Sequence, residues 1–129
     1  MNAKNLLIFQ AVVGIGFGIA LVFFPKSFLS NYVVDSTLIN ELSIGLAGIY
    51  GATNIGIGVG TWIARNDPQP TSWLWAILVA CIIQIALDGI SISTGAFNAT
   101  LWTSIIIVGL MGLWSAYLLF IKKSINVSA

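Results

Sequence analysis

Four apolar runs, parted by short polar breaks, dictate what this chain can become. The first goes from Leu6 to Phe24 and stops at Pro25. The second goes from Leu42 to Ala64 and stops at Arg65-Asn66-Asp67-Pro68. The third goes from Ser72 to Thr94 and ends near Gly95; the fourth goes from Ala99 to Ile121 and ends at Lys122-Lys123. Each holds about 20 residues, which at a rise of about 1.5 Å per residue matches a hydrocarbon core of roughly 30 Å. None alternates strictly, which argues against barrel strands. Of the 129 residues, 58% are hydrophobic and 7% charged. A soluble domain carries roughly 25% charged residues, so lipid rather than water must cover most of this surface. The predicted fold class is all-α: a four-transmembrane-helix bundle with an outer interfacial segment between helices 1 and 2. Residues 1–129 form a single four-helix transmembrane domain on this reading.

Lys4 before the first run fits a cleaved leader, but no A-x-A-like site follows and the run is long for one, so it is expected to stay as a helix. The longest connection, Pro25 to Glu41, mixes Phe28, Leu29, Tyr32, Val33 and Val34 with Lys26, Asp35 and Glu41. That mixture suggests a segment lying at the interface or folding back over the bundle mouth. Arg65 to Thr71 holds two prolines and reads as a turn, and Gly95 to Asn98 as a tight one. Asn98-Ala99-Thr100 matches a glycosylation sequon, so close to the membrane that it reads as chance.

Basic residues set the orientation. With four helices, Lys4, Arg65, Lys122 and Lys123 share one side and Lys26 alone lies on the other. The bias predicts a cell-membrane protein with both termini cytoplasmic. Trp62, Trp73 and Trp75 then fall at the inner interface, and Tyr32 and Trp102 at the outer one.

Glycines crowd the first two helices. Gly14 and Gly18 stand four apart, as do Gly56 and Gly60, a spacing that lets another backbone come close. Two uses are open: packing inside the bundle, or a homo-oligomer formed through these glycine strips. A phosphate loop is excluded, because no strand–turn–helix context surrounds them. Val13-Gly-Ile-Gly-Phe-Gly18 also resembles Ile55-Gly-Ile-Gly-Val-Gly60, a weak hint of duplication.

Only Asp88 places an ionisable group well inside a helix, about 7 Å beyond the midplane toward the outer side. At such depth a carboxylate must pair, sit in a wet cavity or keep its proton. Gln84 lies one turn earlier on the same face, and Tyr50 and Asn54 form a similar pair on the second helix. The second helix is taken to run antiparallel beside the third, so Tyr50 matches the depth of Asp88 and Asn54 that of Gln84. The four are expected to form one interhelical network, either fixing register or flooring an outward-opening pocket. Glu41, at the start of the second helix, joins the candidate pocket, although a carboxylate there also suits the positive helix end. Gln10 lies toward the inner side with no obvious partner.

Other chemistry is scarce. Net charge is +1 and no basic stripe exists, so nucleic acid is not an expected partner. There is no histidine, and the one cysteine, Cys81, lies inside an apolar run. No metal, cofactor or catalytic residue is expected. The expected partners are the lipid bilayer and a small lipophilic ligand.

Three stretches carry a family resemblance: Leu21-Val-Phe-Phe-Pro25, Glu41-Leu-Ser-Ile-Gly-Leu-Ala-Gly-Ile-Tyr-Gly51 with Gly56-Ile-Gly58, and Asp88-Gly89. In these the chain resembles the DoxX-like group of small four-helix membrane proteins. The resemblance implies a four-helix bundle and no defined reaction. Relatives often carry an arginine shortly before the Tyr-Gly pair; none stands there, so its headgroup role does not carry over. The reading is therefore a multi-pass membrane protein without an identifiable reaction: a non-enzymatic module, either partner subunit or binder of a small lipophile. The competing reading is a small membrane enzyme or transporter that uses Asp88 for proton or substrate handling. An exporter of the small four-helix multidrug type would want a carboxylate in the first helix, where only Gln10 is found.

Overall fold

The computed structural model describes residues 2–122; Lys123, counted above among the basic residues near the C-terminus, lies outside them. The elements are α1 (Ala3–Phe23), α2 (Pro25–Leu29), a 3-10 turn (Ser36–Leu38), α3 (Glu41–Ala64), α4 (Thr71–Ser93) and α5 (Leu101–Ala116). A π-helical segment, Tyr117–Lys122, continues α5. Helices α1, α3, α4 and the α5–π unit are each long and apolar enough to cross a membrane. The expected all-α four-helix bundle is the observed fold, and α2 with the 3-10 turn makes up the segment between its first two spans.

Local chemistry sets the ends. The Asn2 side chain accepts from the Asn5 N–H at 2.9 Å, so α1 begins before its apolar run does. Asn40 and Ser43 form a reciprocal capping box at the start of α3, with Glu41 in the first turn. Pro25 does more than end α1. It occupies the first turn of α2, where its missing N–H is harmless. Gly95, at φ +74°, closes the turn after α4. The last long helix starts at Leu101, not Ala99, because the Asn98 carboxamide oxygen accepts from the Thr100 N–H and shapes a turn first.

The bundle consists of two antiparallel hairpins, α1 with α3 and α4 with α5. Glycine makes the first possible. A Cβ on Gly18 would lie 2.6 Å from the Gly51 carbonyl oxygen, and one on Gly58 would lie 3.0 Å from the Ile15 nitrogen. These helices touch backbone to backbone, so their glycines serve packing inside the bundle. The two similar glycine motifs are not used alike: Gly14, Gly18 and Gly58 face the partner helix, Gly60 lies under the Trp73 indole, and Gly56 meets nothing within 4 Å. In the second hairpin Gly112 lies against Cys81, and the Ser115 hydroxyl donates to the Leu74 carbonyl at 2.6 Å.

The hairpins meet at one end through an apolar core that includes Leu6, Leu7, Leu74, Ile77, Met111 and Leu118. This end, which holds the start of α1, the α3–α4 turn and the end of the π segment, is called the terminal side. Elsewhere large apolar side chains point outward; Leu42 and Ile63 are each 72% exposed and Leu113 71%. Contiguous exposure of this kind is untenable in water and ordinary in lipid.

The opposite end carries a cap. Phe17 of α1 meets Phe28 of α2 edge-on, and Phe28 stacks on Tyr32. Beyond Tyr32 the chain pairs with the α4–α5 turn through an isolated antiparallel bridge between Val33 and Phe97. The segment folds over the bundle end, one of the two placements its composition allowed.

Candidate functional site

Asp88 and Gln84 share a face of α4, one turn apart, and both are partly buried. They meet Ser104 in the first turn of α5. The Ser104 hydroxyl donates to Asp88 Oδ2 at 3.0 Å, and Gln84 Nε2 lies 3.5 Å from the same hydroxyl oxygen, at the limit of a hydrogen bond. Asp88 stands five residues before the end of α4, about 7.5 Å below the cap-side terminus of the helix. Among the described residues no cation pairs with it.

The expected four-residue network between the second and third spans does not form. Asn54 turns its amide onto its own helix, donating to the Tyr50 carbonyl at 2.9 Å, and Tyr50 is 48% exposed. The reason is pairing. The glycine contacts commit α3 to α1, and α4 packs along α5. Helices α3 and α4 are consecutive yet approach only near their shared turn, where Trp73 covers Gly60. Glu41 lies exposed at the first turn of α3, with no hydrogen bond to Asp88. The structure thus brings together Asp88 and Gln84, leaves Tyr50, Asn54 and Glu41 outside that cluster, and adds Ser104. The signal for Ser104 was available: a hydroxyl five residues into the fourth apolar run sits at nearly the depth of a carboxylate six residues from the end of the third.

Asn98, read from the sequence only as the end of a tight turn and a chance sequon, has a further role. Its backbone N–H donates to the Tyr32 carbonyl at 2.7 Å, and its side-chain amide donates to the carbonyls of Asn31 at 3.0 Å and Val33 at 3.4 Å. The Val34 N–H donates to Ala96 at 3.2 Å. The sequon asparagine is thus a structural clamp between cap and turn. Asp35, also in the cap, accepts from the Thr37 N–H at 2.8 Å, and that bond holds its carboxyl below the usual carboxylate range. Lys26 and Asp35 form no ion pair among the described residues.

Two further features lie toward the terminal side. The Arg65 guanidinium sits 4.1 Å over the Trp62 ring and donates to the Trp62 carbonyl, an arrangement suited to the membrane–water boundary. An apolar groove of about 450 Å³ lies between α1 and α5, walled by Phe9, Leu110, Met111, Leu113, Trp114 and Tyr117. The Trp114 Nε1 is itself buried and has no acceptor among the described residues.

Four apolar spans, a lipid-facing surface and a polar cluster set below a cap define a multi-pass membrane protein. The chain belongs to the family described as Domain of unknown function (DUF8292), whose profile matches residues 8–127. No curated protein and no solved structure matches it.

Proposed function

We propose that this protein is a non-enzymatic membrane module that holds a small lipophilic ligand, one with a hydrogen-bonding head, at Asp88, Gln84 and Ser104. The carrying observation is the Ser104–Asp88 bond at 3.0 Å with Gln84 beside it. It gathers three polar side chains inside an apolar span, where a carboxylate is costly, by roughly 2.5–3.5 kcal/mol at a helix centre and less toward its end. Ser104 occupies one carboxylate oxygen, leaving the other available to a ligand donor. Asp88 is the one carboxylate well inside a span and the chain has no histidine. Acid–base chemistry would lack a second group, which favours binding over reaction. The likeness to the DoxX-like group supports the bundle and adds no reaction.

The test is extraction of the purified protein with organic solvent and quantitative mass spectrometry of what is released. A lipophile near one per chain is expected from the wild type, with at least a tenfold fall in Asp88→Ala and Ser104→Ala that still melt cooperatively. Identical extracts from all three would defeat the reading. We further propose that the chain lies in the cell membrane with both termini cytoplasmic, because Lys4, Arg65 and Lys122 share the terminal side and Lys26 lies at the cap. C-terminal reporter fusions decide this: fluorescence of a cytoplasmic reporter is expected, and phosphatase activity refutes it.

A further inference from the structure

We propose that the cap is a gate over the Asp88 cluster: release of the Asn98 clamp parts the two hairpins at the cap side while the terminal side stays closed. As a route for a ligand the gate rests on the binding reading above; as a motion it stands on geometry alone.

The two ends of the bundle are joined by different kinds of contact. At the terminal side the hairpins share a continuous apolar core, with Leu6 and Leu7 of one against Leu74, Ile77, Met111 and Leu118 of the other. Leu6 and Leu7 are fully buried there. At the cap side the hairpins are joined by four hydrogen bonds, and Asn98 supplies three of them. Between those levels no hydrogen bond crosses from one hairpin to the other among the described residues. The glycine contacts lock α1 to α3, and the Ser115–Leu74 bond ties α4 to α5, so each hairpin is stiff within itself.

Such an arrangement opens in one way. The apolar core acts as the hinge, since separating it would expose large side chains that now touch. The cap bonds are half exposed and can be exchanged for bonds to water. The chain also has places to bend beside them. Gly95 at φ +74° precedes the clamp, and the non-helical Phe24 separates α1 from α2. Asp88, about 7.5 Å below the end of its helix, lies within reach of whatever enters once the cap lifts.

Peptide-resolved labelling tests this. Ser104→Cys is introduced and the full chain is reconstituted in vesicles of known sidedness. A charged, membrane-impermeant methanethiosulfonate is added to one side at a time; the wild type, with only the buried Cys81, gives the background. Adding Asn98→Ala should raise the labelling rate at position 104 at least tenfold from the cap side and leave it at background from the terminal side. An unchanged rate, or entry from the terminal side, overturns the gate. A second arm covers a failure of Asn98→Ala to fold. Val33 and Phe97 are bridge partners, a spacing compatible with a disulfide. In Val33→Cys/Phe97→Cys/Ser104→Cys, oxidation should slow labelling at position 104 at least tenfold relative to the reduced form, and equal rates overturn the proposal. Gating without any extracted lipophile would support the gate and sink the ligand reading. A bound lipophile with rates indifferent to both manipulations would keep the ligand, place its entry through the bilayer, and sink the gate.

Discussion

Replacing Gly18 by alanine isolates the contact on which the first hairpin depends. The added Cβ would lie 2.6 Å from the Gly51 carbonyl oxygen and 2.9 Å from the Ile55 nitrogen, where ordinary contact begins at 3.4 Å. Both are backbone atoms and cannot rotate aside, so α1 and α3 must part by roughly 0.8 Å at that level. A gap of about 0.5–1 Å forfeits a quarter to a half of each contact's attraction, and overpacking of this kind costs about 1–3 kcal/mol. Alanine returns at most about 1 kcal/mol as the better helix former. The net expectation is a loss of about 0–2 kcal/mol, or about 1–3 kcal/mol relative to a glycine-to-alanine change that meets nothing. Gly16→Ala is the control, two residues away on the same helix, with no atom within 4 Å of the new Cβ. It should be neutral or up to about 1 kcal/mol stabilising. Sodium dodecyl sulfate titration of the protein in mild detergent, followed by tryptophan fluorescence, reads both. Gly51→Ala should lose stability by the same separation, since its Cβ would sit 2.9 Å from the Gly18 carbonyl oxygen. The double variant should therefore lose less than the two singles together. Equal midpoints for Gly16→Ala and Gly18→Ala would refute backbone contact between these helices.

Two other expectations follow from hydrogen bonds. Ser115→Ala removes a fully buried donor to the Leu74 carbonyl and should cost about 0.5–1.5 kcal/mol in the same titration, with an unchanged midpoint counting against the bond. Asp35 is held below the usual carboxylate range by the Thr37 N–H. Its contribution to cap order should be present above the ordinary carboxylate pKa and be lost as pH falls through the depressed folded value. Nuclear magnetic resonance of the Thr37 amide should show that midpoint, and Asp35→Asn should abolish it.

The four spans were legible because their length and apolarity are fixed by the bilayer, and their limits by Pro25, the Arg65–Pro70 turn and Gly95. The partnership of helices was not. Chain order makes α3 and α4 neighbours as readily as α1 and α3, and depth matching of Tyr50 with Asp88 assumed the former. What decides is whether glycines on two helices fall on facing sides at one level. Gly18 meets Gly51 in that way, whereas Gly56, in an equally suggestive motif, does not. Ser104 was missed because a serine in an apolar run can return its hydroxyl to its own helix, as Thr61 does with the Ile57 and Gly58 carbonyls. Asn98 was set aside as a chance motif because its partners lie 65 and 67 residues away, on a segment whose placement over the bundle end was only one of two expectations.

Because each hairpin is built from successive spans, the architecture bears on how the chain is made. A ribosome delivers α1 and α3 before α4 exists, and the backbone contacts at Gly18, Gly51 and Gly58 need no later residue, whereas the cap waits for Ala96 and Asn98. The second pair follows as a unit, with its Ser115–Leu74 and Ser104–Asp88 bonds internal to it. Insertion can then proceed two spans at a time, each pair entering the bilayer with its own helix–helix contacts available. On that order the joining of the pairs, through the leucine-rich end and the Asn98 clamp, would come last. The Arg65–Pro70 turn between them marks the point where synthesis of one half ends and that of the other begins.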